Sequence, residues 1–177
     1  MIIQPIKTHI FQEGDDLFLF ITDYFKKLSE KSVIVVTSKI AALAEKRTAV
    51  VENIKMKEKL IRAESELAIP TKYVWLTVKD GMVMASAGID ESNANGKLIL
   101  LPKDSFKTAR FLREKLQKHF RVKHLGVLIT DSRTIPLRAG VTGVALGYAG
   151  FRGVKDYRGT PDIFGRKFKF SRTNVAD

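Results

Sequence analysis

The sequence predicts an α+β protein built on a mixed twisted sheet, with hairpins and flanking helices. Short β-branched segments such as residues 33–36 predict strands. Apolar residues that recur every three or four positions over 104–120 predict a helix. Asp80-Gly81, which separates two apolar segments, predicts a tight hairpin turn. Because strands and helices alternate with hairpins between them, mixed α+β is the class that the pattern supports.

The first half of the chain is predicted to alternate short strands with helices. Gly14-Asp15-Asp16 offers a helix start, since an aspartate at the first position can cap free backbone N–H groups. The predicted elements are an edge strand over 2–10, a helix over 17–29, a buried strand over 32–36 and helices over 41–45 and 56–67.

The second half is predicted to be richer in strands. Asp104 or Ser105 is expected to cap its helix. Glycines recur after residue 139, and over 141–150 they indicate a strand that another backbone approaches closely. The predicted strands cover 73–79, 82–85, 97–101, 124–129 and 141–150. We expect a single domain over 1–177, with 133–170 as a candidate Gly-rich subdomain.

Composition narrows the classes of function. At 177 residues and 45% hydrophobic, the chain can bury a substantial core. It has no cysteine and only three histidines, which excludes disulfides and argues against a zinc site. No apolar run approaches the roughly 20 residues of a membrane span, and no secretory signal pattern opens the sequence. A cytoplasmic location with no membrane partner is the expectation.

The net charge predicts anionic partners. Lysine and arginine exceed aspartate and glutamate by 31 to 19, which gives a formal net charge of +12. Such a charge attracts nucleotides, phosphorylated metabolites or nucleic acid, and does not choose among them. The basic residues are spread along the chain, so a solvated basic surface is favoured over a dedicated nucleic-acid groove.

Two polar segments are candidates for a ligand site. Residues 87–96 place Asp90, Glu91, Ser92 and Asn93 between two glycines, directly after a predicted strand. Residues 129–133 repeat the pattern after the strand at 124–129. Together the two segments offer oxygen ligands for one hard cation. The alternative is that both are ordinary turns, because aspartate, asparagine, serine and glycine also stabilise turns.

Motifs at seven places occur in a recognisable order: 13–17, 37–40, 44–45, 87–96, 100–104, 129–133 and 156–166. In this order the chain resembles the gamma-glutamyl ligases of the deazaflavin coenzyme F420. These enzymes use GTP and a divalent metal to join glutamate to a phosphorylated coenzyme precursor through an acyl phosphate. The resemblance covers the whole chain and implies the family's fold, Mg²⁺ or Mn²⁺, GTP as co-substrate and a homodimer.

The resemblance also implies roles for individual residues. Arg138, with Arg158 and Arg166, matches family arginines that can pair with a phosphate or a carboxylate. Structural ion pairs with Asp156 and Asp162 are the alternative for these arginines. The implied metal ligands are Asp90, Asp131 and Ser132, and the implied nucleotide contacts are Ser38, Lys39, Asn93 and Arg138.

The sequence departs from the family pattern at positions that bear on activity. Leu43 stands where the family has a lysine directed at the nucleotide phosphates, and a carboxylate is lost at 104–106. Family members also continue beyond residue 177. These departures predict impaired ligation. Leu43→Lys is expected to improve GTP affinity if the nucleotide pocket otherwise exists, and to do nothing if the pocket has been lost. The alternative is a non-catalytic relative that binds a metabolite or RNA as an assembly module.

Overall fold

The computed structural model describes residues 2–135 and 137–177, so Met1 and Pro136 lie outside the described residues. Helices and short strands alternate along the chain, and the predicted α+β class is confirmed. In chain order the elements are α1 (Leu17–Tyr24), β1 (Ser32–Thr37), α2 (Ser38–Ala44), β2 (Thr48–Ala49), α3 (Ile54–Ala63), β3 (Leu67–Pro70), β4 (Trp75–Lys79), β5 (Met82–Ala85), a 3-10 turn (Ser86–Gly88), β6 (Leu98–Ile99), α4 (Ser105–Phe120), β7 (Leu125–Thr134), β8 (Val141–Ala149), β9 (Val154–Asp156) and β10 (Arg172–Asn174).

A mixed three-stranded sheet carries the main core. Its middle strand, β7, pairs in parallel with β1 and antiparallel with β8. α4 packs on this sheet through its apolar stripe, Ala109, Leu112 and Leu116, all of which are buried. A Cβ at Gly147 in β8 would lie 2.4 Å from the Ser105 backbone, so only glycine allows α4 to approach this closely. The close approach predicted for this strand is therefore present.

The remaining strands form smaller antiparallel sheets. β3, β4 and β5 make a three-stranded sheet, while β2 pairs with β6 and β9 pairs with β10. At the β4–β5 turn, Asp80 and Gly81 have φ of 52° and 70°, the two positive values of a type I′ hairpin turn. The predicted hairpin is confirmed. The β-structure is nevertheless divided among separate small sheets within the described residues.

Aspartate side chains begin two helices as the sequence predicts. The Oδ1 of Asp16 accepts from the backbone N–H groups of Phe18 and Leu19, at 2.8 and 3.0 Å. The Oδ1 of Asp104 accepts from the backbone N–H of Lys107 at 2.8 Å. Each carboxylate satisfies donors that have no partner inside the helix, which fixes where the chain turns helical.

The predicted edge strand at 2–10 is wrong. The segment joins no sheet, and Ile2, Ile3 and Ile10 are exposed by 97, 79 and 81%. Pro5 contributes no N–H to a ladder, and alternation of apolar residues cannot by itself supply a neighbouring strand. β1 also differs from the prediction, because Val33 and Val35 are exposed while Ile34 and Val36 are buried. It lies at the edge of its sheet and buries one face.

Element ends differ from the predictions by several residues. α1 ends at Tyr24 and α3 at Ala63, both short of their predicted ends, and Leu67 belongs to β3. β7 runs longer, because its antiparallel ladder with β8 continues to Thr134. Asp131 and Ser132 therefore lie inside a strand and not in a loop after it. No helix in the described residues has the length and apolar character to cross a membrane.

Candidate functional site

A cavity of about 480 Å³ opens where β1 meets α2, beside β7 and the segment between β5 and β6. Its lining includes residues from both polar segments of the sequence. The register that pairs Thr37 with Thr130 brings the end of β1 alongside the second part of β7. The candidate residues that line the cavity are Ser38, Lys39, Asp90, Asp131 and Ser132. Two carboxylates distant in sequence thus share one cavity.

Ser38 and Asp131 are directly joined across the end of the parallel pair. The Ser38 hydroxyl donates to Asp131 Oδ1 at 2.7 Å. Ser38 is buried, whereas the Asp131 carboxyl is only partly covered. Because each residue directly follows one member of the matched pair Thr37 and Thr130, the strand register alone brings them together. The hydrogen bond holds one carboxyl oxygen of Asp131 and so orients the other.

The Asp90 loop is fixed by its own backbone and by Ile99. Asp90 donates its N–H to Ile99 O at 2.9 Å, and Ile99 donates back to Asp90 O at 2.8 Å. The Asp90 side chain accepts at Oδ1 from the backbone N–H of Ser92, at 2.7 Å. Its Oδ2 accepts from the Ser92 hydroxyl at 3.1 Å. The carboxylate therefore has one oxygen held by backbone and one that faces side chains.

A buried threonine, which sequence reasoning missed, stabilises the segment that leads into this loop. Ser86, Ala87 and Gly88 have positive φ of 47°, 57° and 70°, a conformation that L-residues rarely adopt in succession. The Thr77 hydroxyl donates to Met84 O at 2.7 Å and accepts from Ala87 N–H at 2.8 Å. Thr77 is 0% exposed. Its only signal in the sequence is a hydroxyl at an inward position of an apolar strand.

Lys39 contacts the Asp90 loop through its ammonium. Its Nζ lies 2.8 Å from Asp90 Oδ2 and donates to Ser92 O and Ser92 Oγ, at 2.8 and 2.9 Å. Partial burial raises the pKa of Asp90, but hydrogen bonds from Lys39 and Ser92 lower it, and the net pKa lies below its ordinary value. The carboxylate is thereby kept charged near neutral pH.

Arg133 lies behind Asp131 and was also missed. Its Nε is 3.8 Å from Asp131 Oδ2, which is an ion-pair distance and not a hydrogen bond. The side chain is only 9% exposed, and its Nε and Nη2 have no hydrogen-bond partner among the described residues. Burial lowers the pKa of Arg133, against the charges of Asp131 and Asp80, which raise it. Strand alternation places Arg133 on the same face as Asp131.

The donors in the cavity fit a small, hard divalent ion that keeps waters or phosphate oxygens. Asp90 and Asp131 supply carboxylates, and Ser132 supplies a hydroxyl. In the described residues, no group of three or more histidine, cysteine, aspartate or glutamate side chains is arranged to hold a metal. Mg²⁺ is commonly bound by one or two carboxylates together with substrate phosphates, so two carboxylates are compatible with it.

Other predicted residues are not among those that line the cavity. Asn93 and Arg138 are exposed, and Arg158 pairs through Nη2 with Asp156 Oδ2 at 2.6 Å. That contact corresponds to the ion-pair alternative. The Arg166 backbone N–H, and not its guanidinium, bonds to Asp162 at 2.9 Å. The Leu43 side chain is half-buried against the apolar core.

The fold and cavity define an α+β protein in which carboxylates and an ammonium meet at the end of a parallel strand pair. A family model described as F420-0:Gamma-glutamyl ligase matches residues 5–177. The chain belongs to the F420-0:gamma-glutamyl ligase family.

Three similar proteins carry the name coenzyme F420:L-glutamate ligase. The protein of Methanopyrus kandleri is 41% identical over 119 residues, which are 67% of this chain and 47% of that protein. The protein of Archaeoglobus fulgidus is 30% identical over an alignment of 186 residues, covering 95% of this chain and 74% of the relative. That of Methanococcus maripaludis strain C7 is 29% identical over 168 residues, covering 85 and 67%. The matched part spans about half of the first relative.

Proposed function

We propose that the cavity is the nucleotide and metal site of a ligase that adds L-glutamate to a phosphorylated deazaflavin precursor, with GTP as co-substrate. One observation carries this proposal: Ser38, Lys39, Asp90 and Asp131 line the same cavity. Family membership and the name shared by the similar proteins support the choice of substrates.

The proposed reaction has two steps. A carboxylate oxygen of the precursor attacks the γ-phosphorus of GTP, and GDP leaves, which forms an acyl phosphate. The amino nitrogen of glutamate then attacks the acyl carbon, phosphate leaves, and the amine loses a proton. Both steps gather negative charge in one place, so the site must neutralise phosphate and hold the reactants in line.

The chain's own residues would position the metal ion and the reactants, and they would neutralise part of the phosphate charge. Asp90 and Asp131 would hold Mg²⁺ or Mn²⁺, and Ser38 keeps Asp131 oriented through its hydrogen bond of 2.7 Å. The ion, when bound, supplies positive charge against the phosphates. Lys39 brings an ammonium to the same cavity. Asn93 and Arg138 are exposed, so their side chains are available to the nucleotide and to an anionic group.

The test measures GTP and Mn²⁺ binding by calorimetry, followed by glutamate-dependent release of GDP with the precursor present. We expect the unmodified chain to bind both GTP and Mn²⁺, and we expect the Asp131→Asn variant to lose this binding. Asp23→Asn is the matched control, because Asp23 is an exposed aspartate on α1. If the unmodified chain fails to bind GTP, or fails to bind Mn²⁺, the proposal is contradicted.

Turnover by the chain alone is expected to be slow, since Leu43 stands at a position where the family pattern has a lysine. Losing one charge contact to a transition state costs on the order of 10²-fold in rate. Rapid GTP-dependent ligation by the unmodified chain would show that the remaining residues are sufficient. The comparison requires a full-length relative assayed under the same conditions.

A non-catalytic RNA-binding relative is the second candidate, and the net charge of +12 favours it. Such a protein would bind RNA with an affinity that falls steeply as salt rises. Binding that survives Asp131→Asn and shows this salt slope, together with no affinity for GTP, would replace the ligase proposal.

A further inference from the structure

The ammonium of Lys39 lies in a cradle of oxygen atoms. Its three neighbours are Asp90 Oδ2, Ser92 O and Ser92 Oγ, at 2.8 to 2.9 Å. A lysine ammonium has three N–H donors and no acceptor, so these contacts use all of them. Lys39 in this position has no donor left for a phosphate.

The cradle contains the oxygen that a divalent ion would need. Asp90 Oδ1 accepts from the Ser92 backbone N–H, whereas Oδ2 contacts only side chains, the Ser92 hydroxyl and Lys39, which can move; Oδ2 is therefore the oxygen available to a ligand. Lys39 already occupies that oxygen. Two cations cannot share one exposed carboxylate oxygen without repulsion, because each would sit within a few ångströms of the other.

We propose that Lys39 is a resident cation of the Asp90 cradle, displaced when a divalent ion binds and thereby released to bind a phosphate of the nucleotide. This inference rests on the proposed function, because it takes Asp90 as a metal ligand. The lysine stem is long and flexible and the side chain is partly exposed, so the ammonium can leave without a change in the backbone. The released group stays tethered beside Ser38, on the wall of the same cavity.

The exchange couples the two ligands. A divalent ion frees the ammonium for the anion, and by linkage the anion favours the state in which the ion is bound. Lys39 should therefore oppose metal binding when no nucleotide is present. It should assist nucleotide binding only when the metal is present. A lysine that always faced the phosphate would not oppose metal binding, and its contribution to nucleotide binding would not depend on the metal.

The first experiment titrates each purified protein with Mn²⁺ and follows the free ion by electron paramagnetic resonance. Lys39→Met keeps the unbranched apolar stem of the side chain and removes the ammonium, and Lys39→Gln is a second variant. We expect both to bind Mn²⁺ about two- to fivefold more tightly than the unmodified chain, the scale of a partly exposed ion pair. Lys39→Arg keeps the charge and should not bind more tightly. Lys26→Met, on an exposed lysine, controls for net charge.

The second experiment measures GTP binding with EDTA and again with saturating Mg²⁺. Lys39→Met should match the unmodified chain in EDTA and bind GTP several-fold more weakly in Mg²⁺, because only the released ammonium reaches the phosphate. If Lys39→Met binds GTP more weakly than the unmodified chain by the same factor in EDTA and in Mg²⁺, the proposed release of Lys39 by the metal is overturned.

The outcomes separate this inference from the proposed function. If the unmodified chain binds Mn²⁺ and neither Lys39 variant binds it more tightly, the exchange is wrong and the metal site stands. If no variant binds Mn²⁺, both are wrong. If only Lys39→Met and Lys39→Gln bind Mn²⁺ detectably, the ion does not displace Lys39 in the unmodified chain, and the exchange is overturned together with the proposed function.

Discussion

Asp90 and Asp131 are held in the cavity in different ways. Asp90 lies in a loop whose backbone bonds to Ile99, and Asp131 lies in a strand with its carboxyl group bonded to the Ser38 hydroxyl. If both hold one ion, neither suffices alone. Asp90→Asn and Asp131→Asn should each weaken Mn²⁺ binding by at least the roughly 10- to 100-fold that loss of a supporting group costs a metal site. Calorimetric titration measures the change, with Asp23→Asn as control. Unchanged affinity in both variants would show that these residues only stabilise local structure.

Thr77 is expected to stabilise the segment that leads into the Asp90 loop, through its hydrogen bond with Ala87. Thr77→Val keeps the shape of the side chain and leaves the buried Ala87 N–H without its acceptor. An orphaned buried donor costs about 1–3 kcal/mol, so the free energy of unfolding should fall by that amount. Thr77→Ser retains the hydroxyl and should lose less. Urea unfolding of the two variants tests the order, and a Thr77→Val variant as stable as the unmodified chain would contradict it.

Leu43→Lys is the substitution that the family pattern suggests as a repair. Leu43 packs against the core, so a lysine there would place a charge among apolar side chains. In place of the improved GTP affinity that the family resemblance implies, we expect lower stability, by roughly 1–3 kcal/mol, and no gain in GTP affinity, because position 43 faces the core. Urea unfolding and GTP titration measure the two effects, with Leu43→Met as control. Tighter GTP binding by Leu43→Lys would show that this side chain reaches the nucleotide.

At the scale of elements, Glu64 joins the end of α3 to two other segments. Its Oε2 lies 2.6 Å from both Arg47 Nη2 and Lys79 Nζ. Burial raises the pKa of Glu64, but the hydrogen bonds from Lys79 and Arg47 lower it, and the net pKa lies below the ordinary value of 4.5. Since the folded-state pKa is depressed, this stabilisation is full above pH 4.5 and is lost as pH falls through the folded value.

Glu64→Gln therefore tests the acid sensitivity of these contacts. The variant should be less stable than the unmodified chain at neutral pH, and the difference should shrink as the solution is acidified below pH 4.5. Urea midpoints measured at several pH values give the comparison. A difference that stays constant with pH would assign the loss to packing and not to charge.

The sequence predicted the elements whose signals are local. Asp16, Asp104 and Asp80-Gly81 act within a few residues of themselves, and the structure bears out all three. The extent of β7 was not predictable, because it depends on β8, a separate segment. The same reason applies to Thr77 and Arg133: alternation indicates the face of a strand but not what lies opposite.

For the molecule as a whole, we predict a homodimer with strands around residues 141–150 as the candidate interface. The family resemblance suggests the pairing, and Val141 at the start of β8 is 69% exposed. An obligate interface should persist at tens of micromolar protein. Light scattering at that concentration measures the mass, and a monomer would contradict the prediction. Val141→Asp should favour the monomer if β8 is buried in the pair.

The parallel pairing of β1 with β7 joins segments nearly a hundred residues apart, and Ser38 bonds to Asp131 across 93 positions. Contacts this distant form slowly, because a long loop must close before they are made. During synthesis the cavity cannot exist until β7 has left the ribosome. Nascent chains that end before residue 125 lack Asp131 and all of β7, and they must pass this period with the backbone edge of β1 that pairs with β7 left unpaired.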